Sequence, residues 1–245
     1  MKLSERKRAD RIYAGDYDRV SRVWDLSFVP ATNAMRKRLL DLATLRPGER
    51  ILDICTGTGA AAFLAAQRVG QTGYVLGIDG SRGMLAKARA KAAKEGTVNV
   101  EFRFMEAASL GLPDASFDAV AVFREWCRVL SPGGRLCFCE WVGSPGGEEE
   151  PEHLLAKYRV ANPSPKLAAR RQLRAQIAEE RTRLPQISAR NPKKVQKFIE
   201  EAGFRNVRIS TREVLDTFPS AQEILDLMLC WWDYADEYAA MPRAV

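Results

Sequence analysis

No C-x-x-C pair and no zinc-type spacing occurs among the five cysteines, Cys55, Cys127, Cys137, Cys139 and Cys230. That pattern argues against both a disulfide framework and a metal centre, and a reducing, cytoplasmic setting is the simpler expectation. Long apolar runs are missing too. The N-terminus MKLSERKRADRIYAGDYDRV is charged from its first residues, so neither a signal peptide nor a transmembrane segment is expected. Internal repeats and low-complexity tracts are absent. Basic residues outnumber acidic ones by 38 to 31 and collect in KLSERKRADR, KARAKAAK and AARRQLRAQ. No aromatic residues are interleaved with them to stack on bases, so each reads as a solvated helix face and no stable nucleic-acid complex is expected.

What is there is a chain of 245 residues, 46% hydrophobic, long enough to bury a full core. Before Pro47 the apolar residues Val20, Val23, Trp24, Leu39, Leu40 and Leu42 recur at helical intervals, as in a cap and a lead-in helix. From Arg50 onward strands alternate with helices, the pattern of a parallel sheet with crossover helices. ERILDIC, YVLGID, VEFRFME, FDAVAVF and RLCFCEW read as five strands. AAAFLAAQRV follows the first, SRGMLAKARAKAAKEG follows the second with Gly96 as C-cap, and REWCRVL is a short helix before the fifth. The polar stretch from Gly143 to about Arg190 breaks that rhythm and reads as a helical lid. NPKKVQKFIEEAGF resumes as a helix with Asn191 as N-cap and Pro192 in its first turn. NVRISTREV would be a sixth strand, and SAQEILDLMLCWWDYADEYAAM an amphipathic helix. The expected architecture is α/β, a Rossmann-like doubly wound and mostly parallel sheet with flanking helices and a helical lid insertion. Its parts are a cap (1–45), a core (46–142), a lid (143–190) and a C-terminal helix–strand–helix portion of the core (191–245).

The chemistry concentrates where the first strand runs into a glycine turn, Asp53-Ile54-Cys55-Thr56-Gly57-Thr58-Gly59. Glycines there let the backbone approach a ligand at the carboxyl end of the strand. Gly57 to Ala62 also satisfies the dinucleotide pattern G-x-G-x-x-[GA], and Asp79, an acid ending the second strand, suits a ribose diol in either cofactor class. Asp53 favours S-adenosylmethionine, because a carboxylate before the turn repels a pyrophosphate and attracts an ammonium group.

The blocks DICTGTG, GIDGSRGMLAKARAK, LPDASFDAV and RVLSPGGRL, in that order, resemble class I methyltransferases, and within them the ubiquinone/menaquinone biosynthesis methyltransferase family. YDRVSRVWDL is similar to that family's N-terminal region, and the likeness covers roughly residues 13 to 142. It implies S-adenosyl-L-methionine as cofactor, with Asp53, Cys55, Thr56, Gly57, Thr58 and Gly59 around its methionine end. It implies Asp79 on the ribose hydroxyls, Glu106 at the adenine edge and the Ala107 N–H beside the ring. Gly80, Met84 and Tyr17 complete the implied binding set, and no metal is implied.

The sequence departs from the family after the fourth strand, where Val122-Phe123 runs almost directly into Arg124-Glu125-Trp126 and the usual intervening helix is missing. The expected function is methyl transfer to a small molecule, such as a quinone precursor or another lipophilic or aromatic acceptor. The alternatives are a non-catalytic S-adenosylmethionine-binding protein, motivated by that deletion, and an RNA methyltransferase, motivated by the positive charge. A nicotinamide dehydrogenase leaves LPDASFD and RVLSPGG unexplained. No catalytic residue is assigned: the only histidine, His153, lies in the expected lid, and Tyr17 and Tyr158 carry no stronger signal. The sequence leaves the oligomeric state open.

Overall fold

The computed structural model describes residues 15, 17–22, 24–26, 28–107, 109–120, 128–138, 161–165, 167–169, 171, 172, 175 and 192–210. The chain forms two compact units, Tyr13–Cys139 and a second comprising Met1–Ile12 with Glu140–Val245.

The first unit holds a five-stranded sheet. Residues 17–22 are helical and a single helical turn, Phe28–Ala31, leads to α1 (Asn33–Ala43). Then come β1 (Arg50–Ile54), α2 (Ala60–Val69), β2 (Tyr74–Asp79), α3 (Arg82–Glu95), β3 (Val100–Phe104), β4 (Phe117–Val120) and β5 (Leu130–Leu136). The strand order is β3-β2-β1-β4-β5, with every pair parallel. The expected parallel α/β architecture is therefore observed. The chain moves outward in one direction through β2 and β3 and in the other through β4 and β5. The crevice beside β1 is thus the topological switch point, where open sheets of this kind bind ligands.

The sequence explains these elements locally. β1 buries Ile51, Leu52 and Ile54 and β2 is apolar along most of its length, with Leu52, Val75, Leu76 and Ile78 at most 1% exposed, as strands covered on both faces must be. α2 presents Ala62, Ala65, Ala66 and Val69 to the core, and its alanines let the helix lie close to the sheet. The Ser81 hydroxyl accepts the Met84 N–H at 3.1 Å and caps α3, and Gly96 in the left-handed region ends that helix.

β5 differs from expectation. It begins at Leu130 rather than Arg135, and the Ser-Pro-Gly-Gly segment expected as a preceding turn lies inside it as an irregularity. Phe117 pairs with Leu130 but Ala119 pairs with Arg135, so three extra residues bulge from β5 around Gly133 at φ 79°. Arg135 then fastens the strand, donating to the Ala43 carbonyl at 2.8 Å and to Glu49 at 2.5 Å.

In the second unit α4 (Pro192–Glu201) matches the expected helix, burying Val195 and Ile199 on one side. Residues 206–210 belong to no strand, and the remainder of the expected sixth strand lies outside the described residues. So do the connection from 121 to 127, most of the expected lid and the C-terminal amphipathic helix.

Candidate functional site

The connection from β1 to α2 forms the floor of the switch-point crevice. Cys55, Gly57 and Gly59 all take positive φ, at 57°, 57° and 85°, so the chain doubles back through three left-handed residues before α2 begins. The turn is tied to the sheet by Thr56 N–H on the Ile78 carbonyl at 3.0 Å and by Gly59 N–H on the Thr56 carbonyl at 2.9 Å. A Cβ at Gly59 would lie 2.7 Å from the Phe102 ring and 2.9 Å from Phe63, so only glycine fits beneath the helix start.

Two carboxylates stand at this end of the sheet. Asp53 accepts the Thr56 hydroxyl at 2.6 Å. Asp79 accepts the N–H of Gly57 and the N–H of Ser81, each at 2.8 Å, and so links the turns after β1 and β2. Burial pushes the Asp53 carboxyl up to about 6, with the negative charge of Asp79 adding to the rise and the Thr56 hydroxyl opposing it. Asp79 is also raised by burial, against three backbone N–H groups that favour its charge. Neither acid has an ion-pair partner among the described residues, so the crevice carries desolvated negative charge.

The segment before α1 lies against both turns. Asp25 accepts the Thr58 hydroxyl at 2.6 Å and pairs with Lys91 at 2.9 Å. Asp18 accepts the Ser81 hydroxyl at 2.5 Å and the Gly83 N–H at 2.6 Å, a carboxylate at the start of α3. Tyr17 packs edge-on against Trp24, with ring centroids 5.9 Å apart. The Trp24 indole nitrogen lies 3.7 Å from where a Gly57 Cβ would stand.

The expected site residues are therefore largely gathered at one end of the sheet. Asp53, Cys55, Thr56, Gly57, Thr58 and Gly59 form the first turn, and Asp79 and Gly80 the second. Met105 N–H on the Asp79 carbonyl at 3.1 Å brings the chain of Glu106 and Ala107 alongside them. Met84 is placed differently: it is 1% exposed and its side chain is part of the core behind the turn. Thr58, also 1% exposed, has its hydroxyl committed to Asp25. Asp18, Trp24, Asp25 and Ser81 were not anticipated. The available signal was spacing, since Tyr17 and Trp24, like Asp18 and Asp25, are seven residues apart and two helical turns put such pairs on one side.

The later blocks turn out to brace this unit. Arg128 donates to the carbonyls of Leu110 and Leu112 at 2.8 and 2.7 Å and to the Asp114 carboxylate at 2.5 Å. Asp118 accepts the Arg50 N–H at 2.8 Å, joining the start of β4 to that of β1. LPDASFD and RVL thus meet at the start of β4 and β5, where Arg128 ties them together.

A family model described as a methyltransferase domain matches residues 45–203, well over half of the chain. Among curated proteins, the chain is 36% identical over 143 residues to aklanonic acid methyltransferase DauC of Streptomyces sp. (strain C5), covering 53% of this chain and 65% of that one. It is 33% identical over 175 residues to nocamycin O-methyltransferase of Saccharothrix syringae, covering 62% of each. It is 40% identical over 146 residues to demethylmenaquinone methyltransferase of Thermus thermophilus, covering 54% of this chain and 63% of that one. The matches thus span less than two thirds of each relative. With the parallel sheet, the glycine turn at its switch point and the acids ending β1 and β2, these matches place the chain in the methyltransferase domain family, among the class I S-adenosylmethionine-dependent methyltransferases.

Proposed function

We propose that this chain transfers a methyl group from S-adenosylmethionine to a small molecule, with a quinone precursor or another lipophilic or aromatic compound as acceptor. The observation that carries the reading is the carboxylate of Asp53 at the start of the glycine turn, where it accepts the Thr56 hydroxyl at 2.6 Å. A pyrophosphate-containing dinucleotide would meet repulsion there, whereas a cofactor with an ammonium and a sulfonium supplies the missing positive charge. The names of the relatives, which specify aklanonic acid, nocamycin and demethylmenaquinone, favour a small-molecule acceptor over RNA.

In this reading Asp53 holds the ammonium, while Thr56 to Gly59 and Cys55 surround the amino-acid end. Asp79 and Gly80 take the ribose, exchanging the N–H partners Asp79 now has for ribose hydroxyls. Glu106 and the Ala107 N–H face the adenine, and Tyr17 with Trp24 covers the turn. Bound there, the sulfonium supplies a methyl group already activated for displacement, and the protein contributes alignment and the exclusion of water. No side chain is given the role of base. A cytoplasmic setting fits the free thiols of Cys55 and Cys137, and no helix among the described residues is long and apolar enough to cross a membrane.

Calorimetry with S-adenosylmethionine, S-adenosylhomocysteine and NAD in parallel tests the cofactor, and transfer of labelled methyl to a panel of quinone precursors, phenols and RNA tests the acceptor. Saturable NAD binding without S-adenosylhomocysteine binding would overturn the first assignment. Methyl incorporation into RNA alone would overturn the second.

A further inference from the structure

β3 stands at one end of the strand order and, among the described residues, pairs only with β2. Val75 N–H donates to the Asn99 carbonyl at 2.9 Å and Met105 N–H to the Asp79 carbonyl at 3.1 Å, so the odd-numbered residues aim their backbone groups at β2. The N–H and carbonyl groups of Val100, Phe102 and Phe104 therefore point out of the sheet, the arrangement by which an edge strand recruits a further strand. Solvent reaches this edge, since Arg89, Arg103 and Phe104 are all exposed. One outward group is already taken. The Arg89 guanidinium, reaching over from α3, donates to the Phe102 carbonyl from Nε at 3.2 Å and from a terminal nitrogen at 2.8 Å. Arg82, seven residues earlier and so on the same side of α3, lies over the Phe104 ring at 4.3 Å.

The edge also states which partner fits it. An antiparallel copy of β3, set so that Phe102 faces Phe102, uses all three outward residues, with Val100 opposite Phe104 on either side. In that register Glu101 stands opposite Arg103 of the copy, at a position without backbone bonds, where facing side chains come closest. A two-fold axis relates the strands, so the opposite-charge pair forms twice. Shifting the register by two residues in either direction loses one outward pair and sets Glu101 against Glu101 or Arg103 against Arg103. Charges on an edge strand ordinarily discourage pairing, but these two, which now pair with each other at 2.5 Å, are self-complementary in the one register that uses the whole edge. The strand's own charges thus leave it open to a second copy, and the central acceptor of that ladder is the Phe102 carbonyl that Arg89 holds.

We propose that Arg89 is a guard, which closes the β3 edge to a second copy of this chain. It occupies the central acceptor, and an incoming copy would bring its own Arg89 guanidinium to the same place. The basic run KARAKAAK on α3 thereby has a task beyond solvation, because one of its cations is turned onto the sheet edge.

The test reads mass by light scattering on the full chain from micromolar to submillimolar concentration. In Arg89→Ala the self-association constant is expected to exceed the parent's by about tenfold or more, as for release of a hydrogen-bonded charge. Hydrogen exchange at Val100, Phe102 and Phe104 should then slow as the concentration of that variant rises. Adding Glu101→Arg sets like charges opposite each other and returns the parental mass, and adding Arg103→Glu as well restores the association. Arg89→Met, which keeps the apolar stem of the side chain, is expected to match Arg89→Ala and carries the test should the alanine variant not fold. A lower melting temperature with no gain in association would make Arg89 a clip between α3 and β3 and overturn the proposal. Association that the exchange of charges at 101 and 103 leaves untouched would overturn it too, because another surface is then responsible.

Discussion

Asp79 at the end of β2 accepts the N–H of Gly57, 22 residues earlier in the turn after β1, at 2.8 Å. Its second oxygen takes the Ser81 N–H, so one carboxylate spans the connections that follow β1 and β2. Asp79 is therefore both a scaffold for the turns and the acid proposed to meet the ribose.

Asp79→Ala should register in both roles. Losing an acceptor shared by two backbone N–H groups costs about 1–3 kcal/mol, reduced by the relief of a desolvated charge. The unliganded melting temperature should fall by a few degrees, and affinity for S-adenosylhomocysteine by about tenfold or more. A variant that binds as the parent does would make Asp79 a purely structural residue.

Asp53 yields a prediction in pH. Its folded-state value of about 6 lies above the ordinary 3.8, so the folded protein holds this proton more tightly than the unfolded chain. The contribution to stability is full below the ordinary aspartate range, declines as pH rises toward 6, and is lost above it. Asp53→Asn, which keeps an acceptor for Thr56, should flatten that slope and raise the melting temperature at pH 7.5, while weakening S-adenosylhomocysteine. Binding of the ammonium favours ionised Asp53, so calorimetry near pH 5.5 in buffers of different ionisation enthalpy should detect proton release. Proton uptake, or a less stable Asp53→Asn, would contradict the assignment.

The architecture was legible because parallel strands buried on both faces read as apolar runs, and YVLGID matches β2 residue for residue. The glycine turn was legible for a similar reason, since left-handed φ leaves its mark as glycine. β5 was misread because the Ser-Pro-Gly-Gly segment looks like a turn, and only pairing with β4 reveals that the chain is already in the sheet at Leu130. The latch residues Asp18 and Asp25 were illegible for another cause. Their partners Ser81, Gly83 and Thr58 lie 33 to 65 residues away, and nothing in a charged helical segment announces which distant turn it will cap.

Cys55 occupies φ 57° without being glycine. An L-residue in the left-handed region costs roughly 1 kcal/mol relative to glycine, partly offset by glycine's greater freedom in the unfolded chain. Cys55→Gly should therefore hold or raise the melting temperature by a degree or two. Cys55→Val, with a β-branched side chain at the same φ, should lower it by several degrees. If valine is tolerated as well as glycine, the turn is not strained at this position.

Two carboxylates, together with buried Val20, attach the segment containing residues 17–25. Asp18 binds the start of α3 and Asp25 binds Thr58 and Lys91. Hydrogen bonds to a charged group contribute about 1.5–3 kcal/mol when buried and less when solvent reaches them. Asp18 is exposed and Asp25 partly so, which places each latch at the low end of that range. Such attachment is enough to hold Trp24 beside Gly57, yet weak enough to open locally without unfolding the sheet. The Asp18→Ala/Asp25→Ala double variant should then exchange amide hydrogens faster across residues 17–25, while β1 and β2 stay as protected as in the parent. S-adenosylhomocysteine should dissociate faster from it, because Trp24 no longer closes the turn. Unchanged exchange would mean that packing, not the aspartates, holds the segment. Slower dissociation would mean that it obstructs the site rather than covering it.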